Sequence, residues 1–381
     1  MFKGRHTPPQ RQIVIYGEPL EEMLPKALSE LWARQTVLVT SQSLAGPKRA
    51  GGRCRAILGD GCTDRIEGIG RDAPFADVMN IVGALRHKGT EAMVAVGGGS
   101  VAEAAKSARI CLTNNVAETD DLARLALSTT SASPRPYLIS VPTTLSGAEY
   151  TPAAGFLNPL TGRKQIVSHA DLAADIVLLD STATLDTPEE LWLSSGLRAV
   201  DHAIATWCSA AGSAPMPEAT ALQGLRLLTR GLRASKARPD DLNARQDCQL
   251  GSWQAIQGAA QGVQLGPSHA IGRPITGHTG LPQGVASAIL LPHVLRYTAP
   301  EANHLHAPLA EAMGAPGQPL ADSVADLVKD LGLPSRLSAQ GVPADALEQM
   351  AEEAMVHPEL QTGGRRFASP AQVLEVLRAA W

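Results

Sequence analysis

Aromatic residues are scarce in this 381-residue chain: four Phe, four Tyr and five Trp make up 3% of it. A core of clustered rings is thereby excluded, and the abundant Ala and Gly point to closely approaching helices instead. Cysteine is also sparse. Cys54, Cys62, Cys111, Cys208 and Cys248 are scattered, odd in number and form no CxxC pair. That argues against a disulfide framework and a cysteine zinc site, and leaves reduced thiols in a cytoplasmic protein as the expectation. There is no basic run and no basic–aromatic interleaving, and the net charge is −4, so nothing marks a nucleic-acid partner. No apolar run approaches the 18 or so residues of a membrane span. The opening MFKGRHTPPQRQ is basic but lacks the apolar stretch of a signal peptide. What remains, 44% hydrophobic and 18% charged, is the composition of a folded globular protein.

The first half alternates β-rich runs with helical patterns. Strands are expected at Gln12–Tyr16, Thr36–Thr40, Cys54–Leu58, Met93–Val96, Tyr137–Val141 and Ile176–Leu179. Between them, Leu20–Trp32, Phe75–Arg86 and Val101–Cys111 carry apolar residues at three- and four-residue spacing, the period of an amphipathic helix. Val116–Pro136 reads as a helical fragment followed by a loop. Strands alternating with helices predict a parallel sheet covered on both faces. After about Thr184 the texture becomes Ala/Leu-rich and helical, over Pro188–Cys208, Pro217–Ala234, Leu242–Gly262, Gln283–Thr298, Leu320–Leu331, Ala344–Met355 and Ser369–Ala380. Thr187-Pro188-Glu189-Glu190 suits a helix start with a hydroxyl N-cap, Pro in the first turn and acids near the positive end of the dipole. The expected organisation is an α/β domain over 1–184 and a helical domain over 185–381.

Two loops carry candidate chemistry. Met93–Val96 runs into Gly97-Gly98-Gly99-Ser100, and a helical pattern opens at once behind it. Glycines let backbone N–H groups approach a phosphate, and a helix N-terminus adds a favourable dipole. The plainer reading is a tight strand-to-helix turn, and the run is not GxGxxG. The second loop, Pro142-Thr143-Thr144-Leu145-Ser146-Gly147-Ala148-Glu149, offers hydroxyls to a phosphate or a ribose.

Together, VGGGSVAEAAK (Val96 to Lys106) and PTTLSGAEYT (Pro142 to Thr151) resemble the iron-containing alcohol dehydrogenase superfamily. The helical half agrees. Ser195 to Ala203 (SGLRAVDHA) looks like the family's GxxAxxHA helix, and His269-Ala270-Ile271-Gly272, Leu281-Pro282-Gln283-Gly284 and Leu290-Leu291-Pro292-His293 look like its second metal-binding segment. The loop PTTLSGAEYT and the ending SPAQVLEVLRAAW are most similar to the maleylacetate reductase branch. The resemblance implies a dehydroquinate synthase-like fold: an N-terminal dinucleotide-binding domain, a helical domain that usually holds a divalent metal, and a nicotinamide placed in a cleft between them. It also implies a homodimer. By match, Gly97, Gly98, Gly99 and Ser100 would hold the pyrophosphate, and Thr143, Thr144 and Ser146 would line the phosphate, ribose and nicotinamide. Lys106 follows as in the family, whereas Glu103 stands where the family has Asp. Ser41-Gln42-Ser43 follows the second strand in place of the acid that binds the adenosine ribose in many NAD-preferring members, so both NAD and NADP are admissible.

The same mapping alters the metal site. The family's Asp ligand falls on Arg198, its first two His ligands on His202 and His269, its relay His on Arg273, and its third His ligand on Gln283. Two imidazoles beside a guanidinium make a poor divalent-cation site, which needs charge neutralisation as well as donors; metal is expected to be absent. Arginine places positive charge near a carbonyl oxygen or pairs with a substrate carboxylate, so Arg198 and Arg273 favour an anionic substrate, and His202 or His269 would deliver the proton. Arg198 sits one helical turn before His202, so both can face one way; Asp201 adjoins His202, and adjacent helical residues face apart. Arg273 could equally make a structural ion pair. His278 is a candidate substitute ligand, and His304, His306 and His357 read as surface residues. The leading expectation is a metal-independent NAD(P)H-dependent reductase of a carboxylated carbonyl compound. A lyase, cyclase or isomerase on the same fold is the alternative, and a ligand-binding pseudoenzyme the second.

Overall fold

The computed structural model describes residues 12–86, 89–125, 133–210 and 214–381. The chain divides into two compact units, one ending at Thr187 and one starting at Pro188.

The first unit is built on a six-stranded sheet in the order β1-β8-β5-β4-β2-β3. Its members are β1 (Ile13–Tyr16), β2 (Thr36–Thr40), β3 (Cys62–Glu67), β4 (Ala92–Gly97), β5 (Tyr137–Pro142) and β8 (Ile176–Leu179), and every pairing is parallel. Helices α1 (Leu20–Glu30), α2 (Ala50–Leu58), α3 (Phe75–Leu85) and α4 (Gly99–Thr113) make the crossovers. The central strands are buried along their whole length, as a sheet covered on both faces requires.

One strand expectation was wrong. Cys54–Leu58 lies in α2, where buried Ala50, Cys54 and Leu58 repeat every four residues. The strand is Cys62–Glu67, whose burial alternates along its length. As an edge strand it has few apolar residues to betray it. The antiparallel hairpin of β6 (Ala153–Leu157) and β7 (Lys164–Ser168) was also not anticipated. Between Thr113 and Pro136 the described residues include a 3-10 turn at Thr119–Asp121 that runs into a short helix, α5 (Leu122–Leu125); the loop expected there lies partly outside the described residues.

The second unit is helical: α6 (Glu189–Ala210), α7 (Pro215–Ala237), α8 (Leu242–Ala255), α9 (Gln257–Ala260), α10 (Pro267–Thr279), α11 (Gln283–Ala312), α12 (Leu320–Asp330), α13 (Leu347–Ala354) and α14 (Pro370–Ala380). Thr187 does not serve as the expected hydroxyl cap, because its Oγ1 donates to the Thr143 carbonyl at 2.7 Å. Small residues let these helices approach. A methyl group on Gly284 of α11 would lie 2.3 Å from the Ser194 carbonyl oxygen of α6, so the two backbones touch. Around the α10–α11 pair sits a core that includes Ile271, Ile289, Leu347, Phe367 and Leu377, all buried. No described helix is long and apolar enough to cross a membrane.

Candidate functional site

In the first unit the sheet order reverses between β2 and β4: the strand after β2 lies on one side, and the strand after β4 on the other. Ligands of open parallel sheets bind outside the carboxyl ends of the strands at such a switch point. Ser41 follows β2 there, and its Oγ lies 3.1 Å from that of Ser43. Gly97 ends β4, and Gly98 opens the 15-residue α4 with extended backbone. The first turn of a helix leaves its N–H groups without partners in the helix, so α4 presents donors where a phosphate would lie.

The glycine and threonine loops interlock. Thr143 N donates to the Gly97 carbonyl at 3.0 Å. A methyl on Gly98 would lie 2.9 Å from Thr144 Cγ2, and one on Gly99 would lie 3.0 Å from Ser146 Oγ. Ser100 Oγ accepts from Asp72 N at 3.0 Å. The structure therefore gathers Gly97, Gly98, Gly99, Ser100, Thr143, Thr144 and Ser146 at one end of the sheet. A helix N-terminus, a switch point and adjacent hydroxyls fit the phosphates and ribose of a dinucleotide.

Lys106 has a role that the sequence did not reveal. Its fully buried ammonium donates to the carbonyls of Ala148 (2.6 Å), Thr151 (2.9 Å) and Ala153, and lies 3.2 Å from Thr151 Oγ1. It thus pins the far end of the threonine loop. Burial pushes its pKa down to about 7, opposed by the charges of Glu103 and Glu149. Glu103 itself pairs with Lys164 at 2.5 Å.

In the helical unit, α6, α10 and α11 converge on a buried polar cluster. His202 and His269 stack with ring centroids 5.1 Å apart and planes at 26°. Both are held well below the ordinary histidine pKa, first by burial and then by the nearby Arg198 guanidinium. His202 Nδ1 and His269 Nε2 are buried without hydrogen-bond partners. Asp201, also buried, faces the cluster: Ser268 Oγ donates to its carboxylate at 2.6 Å and Ser287 Oγ at 2.8 Å. Arg198 Nη1 donates to Ser287 Oγ at 3.3 Å. A small half-open recess is lined by Arg198, Ser268, His269, Arg273, Gln283 and Ser287.

Arg273 reaches this recess already committed. Its guanidinium forms an ion pair with Glu359 and lies 3.1 Å from His357 Nδ1. His278 pairs with Glu353 at 3.0 Å, so its ring is engaged away from the two imidazoles. Of the histidines read as surface residues, His306 is buried, because it falls on the inward face of the long α11. The donor set does not fit a divalent cation. Two imidazoles face a guanidinium, the Asp201 carboxylate beside them is bound by two serines, and among the described residues no group of three or more His, Cys, Asp or Glu side chains is placed to hold a metal ion.

Residues 11–181 match the family model described as iron-containing alcohol dehydrogenase. Residues 192–381 match the C-terminal model of the Fe-containing alcohol dehydrogenase family. Dehydrogenase ALT3 of Alternaria alternata is 30% identical over 324 residues, covering 76% of this chain and 84% of that protein. The chain belongs to the iron-containing alcohol dehydrogenase family. This family member is also similar to maleylacetate reductase of Burkholderia cepacia, 28% identical over 347 residues, or 91% of this chain and 89% of the relative. The crystal structure of maleylacetate reductase from Agrobacterium tumefaciens matches it with a TM-score of 0.82 and 25% identity, over 100% of this chain and 98% of that one. As a family member the protein is an oxidoreductase, near the maleylacetate reductase branch.

Proposed function

We propose that this oxidoreductase is a metal-independent, NAD(P)H-dependent reductase of a carboxylated carbonyl compound, of the maleylacetate reductase kind. The observation that carries the reading is Arg198, whose guanidinium stands beside two buried imidazoles that each keep an unpartnered nitrogen. The reduced nicotinamide, when bound, supplies a hydride to the carbonyl carbon. In the first unit, the backbone N–H groups of Gly97 to Ser100 would hold the pyrophosphate, and Thr143, Thr144 and Ser146 the neighbouring hydroxyl and phosphate oxygens. Ser41 brings no carboxylate against a 2′-phosphate, which leaves NADPH acceptable.

In the helical unit Arg198 supplies the positive charge that a Lewis acid supplies elsewhere, toward the carbonyl oxygen or a substrate carboxylate. Arg273, neutralised by Glu359, contributes direction more than charge. The neutral imidazoles add no charge of their own that would repel an incoming anion. His202 or His269, neutral at rest, would relay a proton from solvent to the new alkoxide.

The test uses protein stripped with a chelator and dialysed, with bound metal measured on the same sample. NADPH and NADH are titrated by nicotinamide fluorescence, and oxo mono- and dicarboxylates are screened by nicotinamide absorbance. Dinucleotide binding and oxo-acid turnover at far less than one metal per chain are the expected outcome. Activity lost on chelation and restored by a divalent cation would overturn the metal-independent reading.

A further inference from the structure

We infer that Lys106 is a positioning residue for the dinucleotide: its ammonium fills a cradle of backbone carbonyls and so holds the hydroxyls of the threonine loop against the phosphate-binding turn of α4. This rests on the dinucleotide reading of the first unit given above, and it names the group that keeps the two loops in register.

Helix α4 carries the parts on one face. Gly99, Glu103 and Lys106 follow one another at spacings of four and three residues, which brings all three to the same side of the helix. Each meets a different piece of the segment 146–164. A methyl on Gly99 would lie 3.0 Å from Ser146 Oγ and 4.0 Å from Ala148 Cβ. Glu103 pairs with Lys164 of β7 at 2.5 Å. Lys106 Nζ donates to the carbonyls of Ala148 at 2.6 Å, Thr151 at 2.9 Å and Ala153. These carbonyls converge on one point, which suits a charged group with several protons to give.

An ammonium has three protons, and the three carbonyls take them all. Lys106 is fully buried, so it acts on the cofactor through the loop and not by touching a phosphate. The loop is held from a second direction at Glu149, whose carbonyl accepts from Ala174 N at 2.9 Å and from Gln12 Nε2 at 3.2 Å. Without the ammonium, the carbonyls of the cradle would be buried with no strong donor, and the loop would relieve that cost by turning a peptide outward. Ala148 is two residues from Ser146, and Gly147 between them sits in the left-handed region at φ 71°. A turned peptide at Ala148 therefore carries the Ser146 hydroxyl away from Gly99. The dinucleotide would then have to order the loop as it binds, which lowers its affinity.

NADPH and NADH affinities are compared by nicotinamide fluorescence for wild type and Lys106→Met, at a temperature where circular dichroism shows both folded. The titrations are run below pH 7, because burial brings the Lys106 pKa down to about 7. A residue that only stabilises the fold leaves the affinity of folded protein unchanged. Losing the hydrogen-bonded charge is expected to raise Kd about 10- to 100-fold, with faster amide hydrogen exchange confined to residues 146–153. An unchanged affinity in folded Lys106→Met overturns the proposal. Lys106→Ala gives a second test that stands if Lys106→Met does not fold. Ethylammonium can enter the emptied cradle and donate to the same carbonyls, and is expected to restore affinity. Tetramethylammonium has the same charge but no N–H, and is expected to restore none. An affinity in Lys106→Ala that ignores ethylammonium, or that both ions restore alike, overturns the proposal equally. A wild type that binds neither dinucleotide sinks the underlying reading and the proposal with it, whereas wild-type binding matched by the variants sinks the proposal alone.

Discussion

The proposed metal-free reading turns on the charge at Arg198, and that charge can be reversed at two positions. Arg198→Asp with Gln283→His puts a carboxylate and a third imidazole beside His202 and His269. The double variant should retain about one zinc or cobalt per chain after dialysis, with the wild type holding far less, as elemental analysis would show. In the other direction, Arg198→Met removes the cation and leaves the rings. A hydrogen bond to a charged group contributes about 1.5–3 kcal/mol, so KM for a carboxylated substrate should rise about 10- to 100-fold. An uncharged aldehyde should show no comparable penalty, and equal effects on both would refute the carboxylate role. Arg198, His202, His269 and Arg273 could be singled out in the chain because they sit inside matching motifs. The hydrogen bonds of Asp201 could not. Its partners Ser268 and Ser287 are 67 and 86 residues away in sequence, and helical periodicity says nothing about which distant hydroxyls meet a carboxylate. The commitment of Arg273 to Glu359, 86 residues on, was hidden for the same reason.

At the level of elements, two close approaches do separable work. Gly98 and Gly99 meet side-chain ends, Thr144 Cγ2 and Ser146 Oγ, which can move aside. Gly284 meets a backbone carbonyl in the neighbouring helix, which cannot. Gly98→Ala should therefore weaken NADPH binding several-fold in a fluorescence titration with only a small change in melting temperature. Gly284→Ala should cost about 1–3 kcal/mol of stability by urea denaturation, and it should slow turnover because it parts Ser287 from Asp201. If Gly98→Ala melts the protein as strongly as Gly284→Ala, the glycine loop is a packing device and nothing more. Elements with a strong apolar period were readable, down to Ile176–Leu179 matching residue for residue. The edge strand Cys62–Glu67 and the β6–β7 hairpin were not: Cys62–Glu67 and Lys164–Ser168 are polar and largely half-exposed or exposed, and such strands carry little hydrophobic signal, while the buried middle of Ala153–Leu157 is only Ala, Gly and Phe.

For the whole molecule, buried neutral histidines set the response to acid. His202 and His269 are held well below their ordinary value by burial, and His293 and His306 are pushed down to about 4. A group whose folded pKa is depressed binds fewer protons than its unfolded counterpart at every pH between the two values, so stability rises with pH across that window. Here the stability is present above about 6.5 and is lost as pH falls toward 4. Glu149 opposes the trend, because burial raises its carboxyl to about 7, and folding then gains from a proton taken up between about 7 and 4.5. Asp201, which burial also raises, acts in the same sense as Glu149, but four histidines outweigh two carboxyls, so urea midpoints should fall between pH 7 and pH 5, before most carboxylates titrate. His306 isolates the effect, since it is buried with an unpartnered Nε2 and is separate from the proposed proton-transfer histidines. A pKa depressed to about 4 corresponds to a loss on the order of 2 kcal/mol between pH 7 and pH 5. His306→Leu should recover roughly that difference while leaving kcat at pH 7 unchanged. A variant that loses as much stability as wild type over those two units would show that His306 stays uncoupled from folding, and would place the acid sensitivity on the remaining histidines.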